Sequence, residues 1–162
     1  MFHYKKVEYL NTANNVLATA METGFEEHLL QNQIFKDSPP RISVDRENAT
    51  LKFVWKGDTT SIAFEEKEGY LTLLRKTFYD FVNQRSTENI VMLDSICKSY
   101  FVRNGITGKY ILELVDTETG RIIATTENGS SRVSKNIISN MIDLGLTSHH
   151  GLIAYFDMPY KV

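Results

Sequence analysis

Residues 92–125 constrain the fold of this chain more than any other part of its sequence. The first half of the segment has apolar residues at spacings of three and four, the pattern of one buried helical face. These residues are Leu93, Ile96, Cys97, Tyr100 and Phe101. Gly105 follows Asn104, where a helix commonly needs a residue in the left-handed conformation to end. The segment therefore predicts an amphipathic helix that stops at Gly105.

Two β-strands are predicted directly after that helix, at residues 109–115 and 121–126. Both stretches are rich in aliphatic and β-branched residues, which favour extended structure. Residues 116–120, which separate them, are aspartate, threonine, glutamate and glycine, and include residue types typical of tight turns. This segment alone therefore predicts a helix, a glycine stop, a strand, a turn and a second strand.

The rest of the chain predicts further helices and strands. A long helix is expected over residues 3–34, because no proline occurs there and only Gly24 interrupts good helix formers. Pro39 and Pro40 end it. The other predicted elements are strands at 41–45, 51–56, 61–64, 137–146 and 152–158 and a helix at 70–82. The last two strands join the two central ones in an antiparallel sheet of four or five strands with helices on one face, which makes the fold class α+β.

Length and composition predict a single domain over residues 1–162. Within it, the elements above give a long N-terminal helix, expected to serve in signalling and dimerisation, at 1–34 and an α+β core at 41–158. A chain of 162 residues can bury a core of its own. Its formal net charge of -2 gives no field that would attract nucleic acid, so no nucleic-acid partner is expected. No run approaches the ~20 apolar residues of a membrane helix, and the first residues lack the apolar stretch of a signal peptide.

The N-terminal helix contains a candidate dimerisation seam. Five of its residues follow the alternating spacing of a coiled-coil heptad. They are Val7, Leu10, Asn14, Leu17 and Met21. A polar residue such as Asn14 can set the register of a parallel helix pair, so the seam predicts a homodimer. The alternative is that Asn14 is solvated and that the apolar stripe packs on the protein's own sheet.

No catalytic motif is recognisable in the sequence. It contains no nucleophile elbow and no P-loop. His149 and His150 are neighbours and would point to opposite faces of a strand, so we expect solvated histidines at a hairpin tip rather than a zinc site. Cys97 lies on the apolar helical face and is expected to be a small core residue. The sequence thus predicts no catalytic residues, no bound metal and no cofactor.

Aromatic and basic residues are better candidates for ligand binding. Tyr100 and Tyr110 carry hydroxyl groups suited to a pocket between the helices and the sheet. Arg103 or Arg121 could hold a carboxylate through two hydrogen bonds. The alternative is that these tyrosines are ordinary half-buried core residues.

The sequences LDSICKSYFVRNGI (93–106) and KYILELVDTETGRIIAT (109–125) resemble the central motif of the periplasmic sensor regions of Bacteroidetes two-component sensor histidine kinases. Cys97 departs from that motif, in which a bulky apolar residue is usual. The resemblance implies a PAS-like domain in the periplasm, whose parent protein is anchored in the membrane by flanking segments. It further implies that a small molecule or a periplasmic protein is sensed. This sequence contains none of the parts of a kinase, so no enzymatic activity is expected of it.

Two other functions fit the same residues. One is a stand-alone domain that binds a small molecule or a protein and dimerises through its N-terminal helix. The other is a small hydrolase or isomerase, which would need a buried carboxylate or histidine facing a pocket. The sensor interpretation makes a geometric prediction of its own: both ends of the domain should leave on the same side, toward the membrane.

Overall fold

The computed structural model describes residues 2–31, 38, 40–64, 69–84, 89–127 and 137–157. The predicted α+β fold is confirmed. The predictions for residues 32–34 and 158 lie outside the described ranges. In chain order the elements are α1 (Phe2–Thr19), a π-helical turn (Ala20–Gly24), α2 (Phe25–Gln31), β1 (Arg41–Asp45), β2 (Thr50–Trp55), β3 (Asp58–Ala63), α3 (Tyr70–Asn83), α4 (Asn89–Arg103), β4 (Tyr110–Asp116), β5 (Ile122–Thr125), β6 (Ile137–Ile138), β7 (Ile142–Asp143) and β8 (His150–Phe156).

The strands form two antiparallel sheets. β1, β2 and β3 make a three-stranded sheet, and the larger sheet has the order β5-β4-β8-β6, with β7 also paired to β8. β4 and β8 pair over their full length, with Leu112 opposite Ala154. The antiparallel sheet predicted from the central hairpin and the last strands is therefore present, and the first hairpin belongs to a separate sheet.

The single strand predicted over 137–146 is divided into two short strands, β6 and β7, both paired with β8, and the register against β8 shifts by one residue between them. Ser139 marks the break: its N–H donates to the carbonyl of Ala154, and its hydroxyl accepts the N–H of Ala154, both at 2.8 Å. The N–H of Asn140 donates instead to Oδ1 of Asn14 in α1, also at 2.8 Å. One backbone donor is thus turned from the sheet toward the N-terminal helix.

The predicted helix stop at Gly105 is confirmed. Gly105 has a φ of 75°, in the left-handed region. The N–H of Ile106 donates to the carbonyl of Phe101 at 2.9 Å, and the N–H of Gly105 donates to the carbonyl of Val102 at 3.3 Å. These are the two hydrogen bonds of a Schellman motif, which closes the end of a helix. Ile106 is buried, so the end of α4 is tied into the core.

β3 begins at Asp58, earlier than the predicted residue 61. The reason is a two-residue turn in which both Lys56 and Gly57 have positive φ, 50° and 85°. Such a turn matches the twist of the strands on either side. Pairing therefore starts immediately, with Trp55 opposite Asp58.

The long N-terminal helix is interrupted at Ala20–Gly24, where the sequence predicted a continuous α-helix. This π-helical turn lies against α4, and Gly24 faces Tyr100 and Ile96 of that helix. Because glycine has no side chain, the two helices can approach closely here. Gly24 is therefore a packing residue in the fold and does not merely interrupt helix formers.

Buried side chains from the helices and from both sheets form one hydrophobic cluster. Cys97 belongs to it, as predicted. On α3, Leu73 is fully buried, while Leu71 is 71 % exposed. The largest fully buried side chains are Tyr79, Phe25, Phe101, Phe156, Leu17 and Met21.

Candidate functional site

A cavity of about 330 Å³ lies between the three-stranded sheet and α3. The side chains of β2 alternate, so Leu51 and Phe53 point toward the core and Lys52 points away. Phe53 packs on Phe81 of α3, with ring centroids 4.9 Å apart, and both rings line the cavity. The remaining lining residues are Thr60, Ser61, Ile62, Ala63, Thr77, Asp80, Gln84 and Thr147.

The carboxylate of Asp80 lies at one wall of this cavity and is 3 % exposed. Oδ2 accepts the N–H of Leu146 at 2.9 Å, the N–H of Thr147 at 2.8 Å and the hydroxyl of Thr147 at 3.0 Å. Oδ1 accepts the N–H of Ser148 at 3.2 Å and, at a shorter distance, its hydroxyl. Five donors therefore converge on one buried carboxylate and hold the loop at 146–148 in place.

Sequence reasoning missed Asp80. A signal for it existed, because Asp80 follows Leu73 by seven residues and Thr77 by three, so all three share a helical face. A carboxylate on a buried helical face needs polar partners from elsewhere in the chain. Those partners lie 66 to 68 residues further along, where no local pattern connects them to α3.

His150 is half-buried and differs from the solvated histidine that was predicted. Its Nδ1 lies 2.7 Å from the hydroxyl of Tyr79. Burial lowers the pKa of His150 below its usual value, and the nearby carboxylates of Asp116 and Asp80 only partly oppose this effect. Burial also raises the pKa of Tyr79. His149, in contrast, is exposed as predicted, with Nε2 3.3 Å from a carboxylate oxygen of Glu118.

A second, polar cleft of about 140 Å³ lies on the other side of the loop at 146–148. Its walls carry charges of both signs. They are formed by Lys76, Thr117, Asp143, Gly145, Ser148, His149 and His150. Within the described ranges, no three histidine, cysteine, aspartate or glutamate side chains are grouped so that they could hold a metal ion. Ser148, which donates to Asp80, is part of this cleft.

The four residues proposed for ligand binding do not line the 330 Å³ cavity. Tyr100 is buried, its hydroxyl donates to Oε2 of Glu27 at 3.3 Å, and the Arg103 guanidinium lies 4.2 Å from the centre of its ring. Tyr110 donates its hydroxyl to Oδ1 of Asp94 at 2.9 Å. Burial and this carboxylate raise the pKa of Tyr110. These tyrosines therefore already have partners within the chain.

Arg121 lies apart from the other three candidates. It is exposed, and its carbonyl accepts the N–H of Asp116, at the far end of β4 from Tyr110. Six residues of extended strand span about 20 Å. Tyr100 and Arg103 thus form one neighbouring pair, while Tyr110 and Arg121 lie at opposite ends of β4.

The proposed dimerisation seam lies largely within the protein. Leu17 and Met21 are fully buried in its own core, which is the alternative that the sequence left open. Asn14 is partly buried, and its Oδ1 accepts the N–H of Asn140. Val7, which is 44 % exposed, remains available to another molecule.

A third cleft, of about 280 Å³, lies between α1 and the end of α4. Tyr9 lines it, and the hydroxyl oxygen of Tyr9 is buried without a hydrogen-bond partner among the described residues. Burial, followed by the charge of Asp157, raises the pKa of Tyr9. The other lining residues are Lys5, Glu8, Thr12, Asn104, Gly105 and Ile106.

Comparison with known proteins gave no match to a family model, to a curated protein or to a solved structure. No helix in the described part of the chain is long and apolar enough to cross a membrane. We take the 330 Å³ cavity as the candidate site because of its geometry. A mainly apolar pocket with a few convergent polar groups is the usual form of a ligand site.

Proposed function

We propose that this chain is the extracytoplasmic signal-sensing domain of a transmembrane histidine kinase and works in the periplasm. In this proposal a small molecule or a periplasmic protein is sensed, and the signal leaves through the N-terminal helix and the last strand. The observation that carries the proposal is the contact between the two ends of the described chain. The ring of Tyr9 in α1 packs edge-on against Phe156 in β8, with centroids 6.0 Å apart.

Two contacts give the relative direction of these elements. Tyr9 lies beside Phe156, and further along α1 Asn14 bonds to Asn140, which follows the Ser139 paired with Ala154. α1 and β8 therefore run in opposite directions, and the start of α1 lies on the same side as the end of β8. Both ends point the same way, as a domain tethered to a membrane at both ends requires. The resemblance of residues 93–125 to periplasmic sensor regions supports the same function.

α3 offers a physical route from the cavity to the N-terminal helix. Asp80 and Phe81 face the cavity, while Tyr79 packs on Phe25 of α2, with ring centroids 6.1 Å apart. A ligand that shifts α3 would therefore shift the N-terminal helix. Coupling of this kind requires a ligand that binds two arrangements of the domain with different affinities. The binding free energies typically differ by about 1–3 kcal/mol. The signalling unit in this proposal is a homodimer, with α1 contributing Val7 and its half-buried neighbour Leu10.

The first experiment is to read the complete open reading frame and to map the topology of its product with reporter fusions. The proposal expects an apolar segment of ~20 residues on each side of this domain, a kinase core beyond the second, and the domain outside the inner membrane. A reading frame that starts near Met1 and stops near Val162 would rule out the membrane sensor. A stand-alone binding domain, which the 330 Å³ cavity favours, would then be the better account.

A further inference from the structure

We propose that the 330 Å³ cavity binds a small organic cation, an amine attached to an apolar group, and that Asp80 provides the opposite charge. The inference rests on the proposed function for the role of the amine as a signal. Its test measures binding alone, so the two can fail separately. Three features of the cavity lead to this class of ligand: a buried carboxylate whose hydrogen-bond partners are all neutral, aromatic walls and a small volume.

The charge comes from the carboxylate of Asp80. All five of its partners are neutral groups that donate hydrogen bonds, namely the backbone and side-chain donors of residues 146–148. An aspartate carboxylate accepts hydrogen bonds and does not donate them, which fits five donors around one side chain. No lysine, arginine or protonated histidine forms an ion pair with it among the described residues. A buried charge is costly unless an opposite charge lies nearby, so the cavity favours a cation over a neutral ligand of equal size.

Neither His150 nor Tyr79 supplies this opposite charge. His150 lies within electrostatic range of Asp80, but burial lowers its pKa, and it is therefore mainly neutral at neutral pH. Tyr79 has a raised pKa and stays neutral. The electric field of Asp80 is therefore left to act on the contents of the cavity.

The aromatic walls suit the same ligand. Phe53 and Phe81 present their rings to the cavity, and an organic cation within about 6 Å of a ring centre is attracted by the ring's negative face. Thr60, Ser61 and Gln84 provide oxygen atoms at the cavity wall that can accept N–H groups from an ammonium ion. An anionic ligand could accept hydrogen bonds from the same three side chains, but it would be repelled by Asp80 and by the negative faces of the rings.

The volume sets the size of the ligand. At about 30 Å³ for each water-sized group, a cavity of about 330 Å³ holds on the order of ten non-hydrogen atoms. Phenethylamine has that size and combines a primary amine with an aromatic ring. Phenethyl alcohol has nearly the same shape without the charge, and phenylacetate carries the opposite charge.

These three compounds form the test, by calorimetric titration of the whole chain at pH 7.5 and low salt. We expect phenethylamine to bind at least tenfold more tightly than phenethyl alcohol and phenylacetate not to bind. Asp80→Asn should reduce the affinity for the amine at least tenfold, and the loss should be larger than that for the alcohol. Asp143→Asn, which changes an exposed carboxylate outside the cavity, should bind like the wild type.

A second pair of variants locates the site even if Asp80→Asn does not fold. Thr60 is exposed, lies opposite Phe53 and lines the cavity, while Thr59 lies opposite Val54 and points to the other face of the same strand. Thr60→Trp should fill the cavity and abolish amine binding, and Thr59→Trp should not. Equal affinity for amine and alcohol, no binding of the amine, or equal binding by both tryptophan variants would each overturn the inference. None of these results would bear on the membrane topology.

Discussion

Gly24 lies so close to Tyr100 that a Cβ atom at position 24 would be 2.5 Å from Cε2 of the tyrosine ring. It would also be 2.9 Å from Cγ2 of Ile96. The contact joins the π-helical turn of the N-terminal helix to α4. Because Gly24 and both neighbours are buried, the crowding cannot be relieved by rotating a side chain into solvent.

Gly24→Ala is therefore expected to destabilise the protein, although alanine is the better helix former. Overpacking a buried site of this kind costs about 1–3 kcal/mol in the free energy of unfolding, measured by urea denaturation. Thr23→Ala, at the exposed neighbouring position, is the control and should change stability by less than about 0.5 kcal/mol. Equal stabilities of the two variants would contradict the tight helix contact.

Asp80→Asn is expected to lower the free energy of unfolding by about 2–4 kcal/mol, because hydrogen bonds to a charged group are lost. The side-chain NH2 group of the asparagine would also face the N–H donors of residues 146–148. The five donors of residues 146–148 cannot all be satisfied by an amide, which has one acceptor oxygen. Chemical denaturation measures the effect. Asp143→Asn removes an exposed carboxylate and should have little influence, so a similar loss in both variants would show that Asp80 does not act as a clamp.

Stability should fall as the pH drops below about 6.5, partly because of His150. Its pKa is lowered in the folded state, so the unfolded chain takes up the proton first. The stabilising contribution is therefore complete above the unfolded pKa and is lost as the pH falls toward the folded pKa. Denaturation at pH 7.5 and 5.5 should show a smaller difference for His150→Gln than for the wild type. His149→Gln, which removes the exposed histidine, should keep the wild-type difference.

Cys97 is expected to be unreactive toward a disulfide reagent in the folded protein. The thiol is buried, and burial together with the charge of Asp94 raises its pKa to about 12. Its reaction should become fast only when urea unfolds the chain. Lys98→Cys introduces a thiol at an exposed position one residue away and should react quickly in native protein. Rapid labelling of Cys97 in buffer would show that α4 opens locally.

Val7→Glu should shift a dimer toward monomer if α1 forms the partner contact of the proposed signalling unit. Val7 is exposed, and a charged side chain at an apolar helix contact opposes association. Light scattering at several protein concentrations measures the mass. Asn15→Glu, at another exposed position of α1, is the control. A wild-type protein that stays monomeric at every concentration would count against the dimer.

Features that depend on neighbouring residues in the chain could be predicted from the sequence, and features that depend on distant residues could not. The end of α4 depends on Gly105 and its immediate neighbours, and the turn after β4 depends on Asp116, whose Oδ1 accepts the N–H groups of Glu118 and Thr119. Both were predicted correctly. The surroundings of the ligand candidates could not be predicted. The hydroxyl of Tyr110, for example, is bonded to Asp94, which lies on another element.

The sequence by itself determined which local structures form, since apolar spacing, left-handed glycines and turn residues act within a few positions. Tertiary structure decided which elements the apolar faces pack against. Asn14 and Asn140 are 126 residues apart, and their hydrogen bond joins α1 to the break between β6 and β7. Leu17 looks the same in sequence whether it packs on a second molecule or on its own core. The apolar pattern states only that a face will be buried, and its partner depends on the chain topology, because contacts between distant residues form only when the whole fold brings them together.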